Sequence, residues 1–150
     1  MNINTRNRVL SIVLLLAIIG LGYFLYISIT GPWQEVQKER QVTEQVRSQL
    51  MDVNSAIRFF NEQNNRFPHN LDSLMVFLDT DSLFQVNSEE IIGREFNPDR
   101  FLISIRTGNR FEYALNDTVR PPLYKISDPD TEDHIGTLTR ITDRGAPSWR

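Results

Sequence analysis

An α+β fold is predicted by three features of the sequence. Val9 to Ile29 is a run of 21 residues without a charge, VLSIVLLLAIIGLGYFLYISI; a helix rising about 1.5 Å per residue needs roughly 20 residues to cross a hydrocarbon core about 30 Å thick. Val46, Leu50, Val53, Ile57 and Phe60 then follow at spacings of 4, 3, 4 and 3, one stripe of a helical period. Beyond residue 100 the apolar period falls to two, in short runs bounded by Gly, Pro, Asn and Asp. Helices first and strands afterwards is an α+β order. The expected architecture is an N-terminal transmembrane helix continuing into a long amphipathic helix, packed on a small antiparallel β-meander.

The first element is read as a retained anchor. Arg6 and Arg8 precede the apolar run with no acid, whereas Glu35, Lys38, Glu39 and Arg40 after it nearly balance. Positive charge stays on the cytoplasmic side, so residues 1–8 are expected inside and the bulk of the chain outside. Tyr23, Tyr26 and Trp33 gather toward the far end, where amphipathic rings favour the interface. A cleaved signal peptide is the first alternative and a buried soluble helix the second. A signal peptide's apolar core would be shorter, about 7–15 residues, and would end in an A-x-A pattern that this run lacks. Gly31-Pro32 is expected to interrupt or bend the helix at the membrane surface.

Residues 30–45 read as a solvated stalk, with Val36 and Val42 its only clear apolar positions, and residues 46–150 as the extracytoplasmic domain. The stripe from Val46 buries against that domain or, alternatively, pairs with another copy as a coiled coil, for which it offers only two well-formed heptads. Asn61, Asn64, Asn65 and Phe67-Pro68 end the long helix. Asn70 is a fair N-cap for a short helix whose apolar face is Leu71, Leu74, Met75 and Leu78. Residues 79–98 are expected to be irregular, with a short turn near Ser82–Val86. Asp79-Thr-Asp81 is a weaker carboxylate pair for a cation, with helix capping as its other reading.

Four strands are expected: 101–106 and 110–115, joined by a Thr107-Gly108-Asn109 hairpin, then 123–127 and 135–141. The helical stripe is expected to pack on Ile103, Ile105, Phe111, Tyr113 and Leu115. Phe59, Phe60, Phe67 and Phe77 are assigned to the core. Trp149 either packs back on the sheet or docks a partner.

The chain has no cysteine, which excludes disulfides, thiolate catalysis and zinc-thiolate sites. After residue 30 it carries 14 bases against 19 acids, a net charge of −5, so no basic stripe for nucleic acid is expected. His69 and His134 lie in predicted loops outside any catalytic motif, and no catalytic residue is assigned. In Asp128-Pro-Asp-Thr-Glu-Asp-His the carboxylates of Asp128, Asp130 and Glu132 alternate and Asp133 follows. In a tight turn these would converge on one hard cation such as calcium, which takes six to eight oxygens. The other reading is a solvated hairpin loop, since Asp133 stands where an EF-hand loop has glycine and the distal Glu is missing.

An apolar helix runs into an amphipathic one that ends in Phe59-Phe60, a polar turn Asn64-Asn65-Arg66, Phe67-Pro68 and a Leu71/Leu74 step. In that order the chain resembles type IV pilins and the pseudopilins of type II secretion. The likeness covers residues 9–75 by pattern and the sheet by order. It implies a pilin-like fold, a structural or assembly role in a bacterial envelope or secretion machinery, and no catalysis. It also implies placement in the inner (cytoplasmic) membrane with the C-terminal domain in the periplasm or outside the cell. The implied partners are the lipid bilayer, other envelope or secretion proteins, and further copies through the long helix. Because major pseudopilins bind calcium in their sheet region, the resemblance also bears on residues 128–133. The chain departs from the family at its start: Thr5-Arg6-Asn7-Arg8 replaces the small residue at which prepilin peptidase cuts, and the apolar run has no acid. It is therefore expected to keep its anchor uncut. An anchored ligand- or cation-binding module and an accessory subunit of a membrane complex are the alternative roles.

Overall fold

The computed structural model describes residues 3–149, with side chains from residue 6. Helix α1 is Ile3–Asn64, followed by α2 (Leu71–Thr80), α3 (Ser82–Ile92) and α4 (Pro98–Phe101). Strands β1 (Glu112–Asn116), β2 (Leu123–Ser127) and β3 (His134–Gly136) and a 3-10 turn at Ile141–Asp143 complete the chain. The architecture is α+β, one long helix with an apolar N-terminal part and a three-stranded antiparallel sheet in the order β1-β2-β3. The chain divides at Gln41/Val42 into two compact units, and α1 contributes to both.

Of the two expectations for Gly31-Pro32, an interruption does not occur: Pro32 lies inside a continuous helix. Proline deletes one hydrogen bond and crowds one carbonyl, at about 3 kcal/mol. Regular helix on both sides outweighs that, because propagation is cooperative. The helix ends where expected. Asn65 takes a left-handed φ of 53° and its N–H reaches the Asn61 carbonyl at 2.8 Å, while the Asn64 amide donates to the Phe60 carbonyl at 3.0 Å.

In the second unit Val46, Leu50, Val53 and Ile57 are wholly buried and Phe60 nearly so. Around them gather Leu71, Leu74 and Leu78 of α2, Phe84 and Ile92 of α3, and Tyr124, Ile126 and Ile135 of the sheet, all in one apolar cluster. Asn70 caps α2 as expected, in a capping box with Ser73. Residues 82–92, expected to be irregular, form α3. Asp81 accepts from the Phe84 N–H at 2.7 Å at its start, and Gly93 closes it at φ 76°. The apolar residues Leu83, Phe84, Val86, Ile91 and Ile92 hide this helix because only Phe84 and Ile92 are buried and its backbone kinks at Asn87. An aromatic chain ties the helices together. Phe60 meets Phe77 edge-on at 4.8 Å, Phe59 touches Phe77 and Phe84, and Phe96 bridges Phe84 (5.0 Å) and Phe101 (5.2 Å).

The expected first strand, 101–106, is not a strand. Asn97 caps the short α4 with Pro98 in its first turn, so Phe101 is helical. What remains of the hairpin is an isolated bridge, Ile103 to Arg110, with backbone hydrogen bonds from Ser104 N–H to Asn109 O at 2.8 Å and from Phe111 N–H to Leu102 O at 2.9 Å. The side chain of Gln49 on α1 takes the place of a neighbouring strand: its amide donates to the Ile103 carbonyl and accepts from the Ile105 N–H, each at 3.2 Å. Ile103 and Ile105, expected in the core, are therefore exposed, and Ser104 between them is buried. Phe111 is buried, and Tyr113 and Leu115 are half-buried against the core as expected. Strand β2 matches its predicted span. β3 is shorter than expected because Gly136 turns at φ 80°, and its outer edge is covered by the tail, with Gly136 N–H to Ala146 O and Ser148 N–H to His134 O both at 2.8 Å. Trp149 is half-buried, with the Arg47 guanidinium 5.2 Å over its ring.

A methyl group at Gly136 would sit 2.3 Å from the Tyr124 carbonyl oxygen, whereas at Gly93 it would meet nothing within 4 Å, although both residues have positive φ. Gly93→Ala should thus cost only the conformational penalty, about 1–2 kcal/mol. Gly136→Ala should cost about 1–3 kcal/mol more by displacing the β2–β3 ladder. Denaturant unfolding of the full-length chain in detergent measures the difference, and equal losses would remove the close approach as its cause.

Candidate functional site

The first candidate surface is the apolar part of α1. Its large hydrophobic residues between Val9 and Ile29 are 50–72 % exposed, an uncovered apolar surface of the kind that marks membrane or protein contacts. One helix, near the N-terminus, is long and apolar enough to cross a membrane.

The second is the loop 128–133, closed by the Asp128 N–H on the Asp133 carbonyl at 3.0 Å. Its four carboxylates go to four different environments. Asp133 takes a fork from Arg47 on α1, Nε at 2.8 Å and Nη2 at 3.0 Å, across 86 residues of sequence. These bonds hold the Arg47 guanidinium charged, raising its pKa. Asp130 accepts from the Asn109 amide at 2.9 Å and from the Thr107 hydroxyl, joining the loop to the 107–109 turn. Glu132 is exposed, and its main-chain carbonyl meets His134 Nδ1 at 2.8 Å. Asp128 is buried. Its Oδ2 accepts from Thr131 at 3.0 Å, and its Oδ1 has no hydrogen-bond partner. Among the described residues no three His, Asp or Glu side chains converge as a metal-ligand set. Asp133 and Asp130 tie the loop to α1 and to the 107–109 turn.

A third feature went unread in the sequence. Polar residues of α1 border the apolar stripe, and Gln49 and Asn54 are buried among it. Asn54 Oδ1 accepts from the buried Tyr124 hydroxyl at 2.6 Å. Asp52 pairs with Arg94, which also donates to Ser48 at 3.2 Å, beside a small cavity of about 60 Å³ bounded by Gln49, Asn97 and Phe101. Amides on the core face of a helix were the available signal, since buried polar groups require partners. Neither histidine adjoins this cluster: His69 is exposed, and His134 lies in β3.

Burial raises the Asp52 carboxyl from an ordinary 3.8 to about 6, against the opposing pull of Arg94. A carboxyl raised on folding binds its proton more tightly in the native state. Stability therefore falls as pH rises from about 4 to about 6. Wild-type protein should lose about 1–3 kcal/mol over that window relative to Asp52→Asn, read as the difference between two denaturation series. A difference that does not change with pH would show that Arg94 fully offsets the burial. No family model, no curated protein and no solved structure matched the chain.

Proposed function

We propose that the protein is a membrane-anchored, non-catalytic, pilin-like structural or assembly protein of a bacterial envelope or secretion machinery. The observation that carries this reading is the division of labour along α1. Its N-terminal apolar residues are uncovered, while from Val46 its stripe is buried in a small folded domain. In this reading Val9–Ile29 lies in the inner membrane, Arg6 and Arg8 remain cytoplasmic, and the α+β domain stands in the periplasm or outside the cell. The Phe59-Phe60, Phe67-Pro68 and Leu71/Leu74 pattern supports the pilin-like part. Contact is then the activity: the anchor and exposed helix meet lipid and neighbouring proteins, including further copies of the chain.

A reporter enzyme that works only outside the cytoplasm, fused after residue 150, should be active. Full-length tagged protein extracted mildly from membranes should bring envelope proteins with it, and replacing residues 9–29 with an unrelated anchor should reduce that company. A reporter active only in the cytoplasm, or protein recovered alone, would sink the proposal.

A second reading, an anchored cation-binding module, is favoured by one observation: Asp128 Oδ1 is buried and unpartnered at the mouth of an acidic loop. If calcium binds there, it should raise the melting temperature. The stabilisation follows RT ln(1 + [L]/Kd), about 2.7 kcal/mol at a hundredfold excess over Kd, and Asp128→Asn should abolish it. Identical melts in calcium and in chelator would leave residues 128–133 as a purely structural loop.

A further inference from the structure

On the opposite end of the α1 stripe from Arg47, Arg58, Asn61 and Glu62 stand one turn apart and line a cleft of about 310 Å³. Phe67 and Tyr124, both buried, also line it. Arg144, just after the 3-10 turn, adds a guanidinium 5.0 Å from the Phe67 ring. Both arginines act on one group: burial raises the Tyr124 phenol, and the charges of Arg58 and Arg144 pull it back. Gly145 lets the loop approach closely, since a methyl group there would lie 3.1 Å from the phenol oxygen.

These two cations differ from four others in the same unit. Arg47, Arg94, Arg110 and Arg140 each have a carboxylate partner. Arg58 and Arg144 share a cleft and have no carboxylate partner among the described residues, although Glu62 also lines it. Two guanidiniums around one cleft repel each other, and an anion between them relieves that cost. Planar guanidinium forks match oxyanions. Charge count selects among these. Two guanidiniums and the Glu62 carboxylate leave a single positive charge, which one carboxylate balances and a phosphate dianion exceeds. The volume is at the small end of ligand sites, about 300–1,000 Å³.

We propose that this cleft binds the carboxylate of a small polar ligand, with Arg58 and Arg144 as the charged donors and Asn61 beside them. The carboxylate is either a peptide C-terminus or an acidic side chain. The test is calorimetric titration of the full-length protein in detergent at matched ionic strength, with four probes: N-acetyl-glycylglycine, its C-terminal amide, N-acetyl-aspartic acid α-amide, and inorganic phosphate. At least one free carboxylate should bind, the amide about tenfold or more weakly, and phosphate more weakly than the carboxylate. Whichever carboxylate probe binds more tightly identifies the source. Arg58→Gln and Arg144→Gln should each weaken binding about tenfold or more, while Arg120→Gln should not. Arg58 is exposed and makes no hydrogen bond or ion pair within the described chain, so Arg58→Gln keeps the test independent of folding. The proposal is overturned by no binding of either carboxylate at about 10 mM, by equal binding of acid and amide, by tighter binding of phosphate, or by unchanged affinity in Arg58→Gln.

Discussion

Everything folded in residues 42–149 depends on one apolar stripe. Strands of five, five and three residues form a sheet too small to bury a core by itself. Helices α2 and α3, of 10 and 11 residues, are likewise marginal alone. Each becomes stable by covering Val46, Leu50, Val53, Ile57 and Phe60, so α1 acts as a common floor and the other elements as tiles on it. With no cysteine to staple them, burial on that floor is the main force available. The long helix therefore cannot shift its register without moving α2, α3 and the sheet together.

Polar residues on the same helix decide where each tile goes. Apolar burial has no direction, whereas a hydrogen bond does. Gln49 fixes the 103–105 segment, Asn54 fixes β2 through Tyr124, Asp52 fixes the start of the 94–101 segment through Arg94, and Arg47 fixes the 128–133 loop through Asp133. Each of these partners lies 42 or more residues away in sequence. Such ties discriminate against alternative placements of short, similar strands, for which hydrophobic pattern alone is weak.

This also explains what the sequence disclosed. The apolar run, the stripe, the Asn70 cap, the Asn65 helix end and β2 rest on local chemistry, a period, a cap or a turn, and were legible. The misses have two causes: a distant residue that overrides a local preference, and a local signal too mixed to read. Phe101-Leu-Ile-Ser-Ile has strand composition, but the Gln49 side chain supplies what a strand would and Asn97-Pro98 starts a helical turn. The carboxylates of 128–133 have a use that no local pattern discloses: Arg47, 86 residues upstream, and the 107–109 turn engage two of them. α3 was missed because its apolar residues do not form a single face, the backbone turning at Asn87. The cleft around Arg58 and Arg144 was invisible for the first reason: its two cations are brought together only by the tail.

The stacking of Trp149 beneath Arg47 has a topological consequence. Arg47 belongs to the first turns of the second unit, and Trp149, 102 residues later, lies against it, so the two ends of the described part of that unit meet. Chain ends that meet make the order of elements separable from their arrangement in space. A rearranged gene that joins the tail to residue 42 by a short linker and opens the chain at the exposed Gly93 turn would encode the same set of neighbours in a different sequence order.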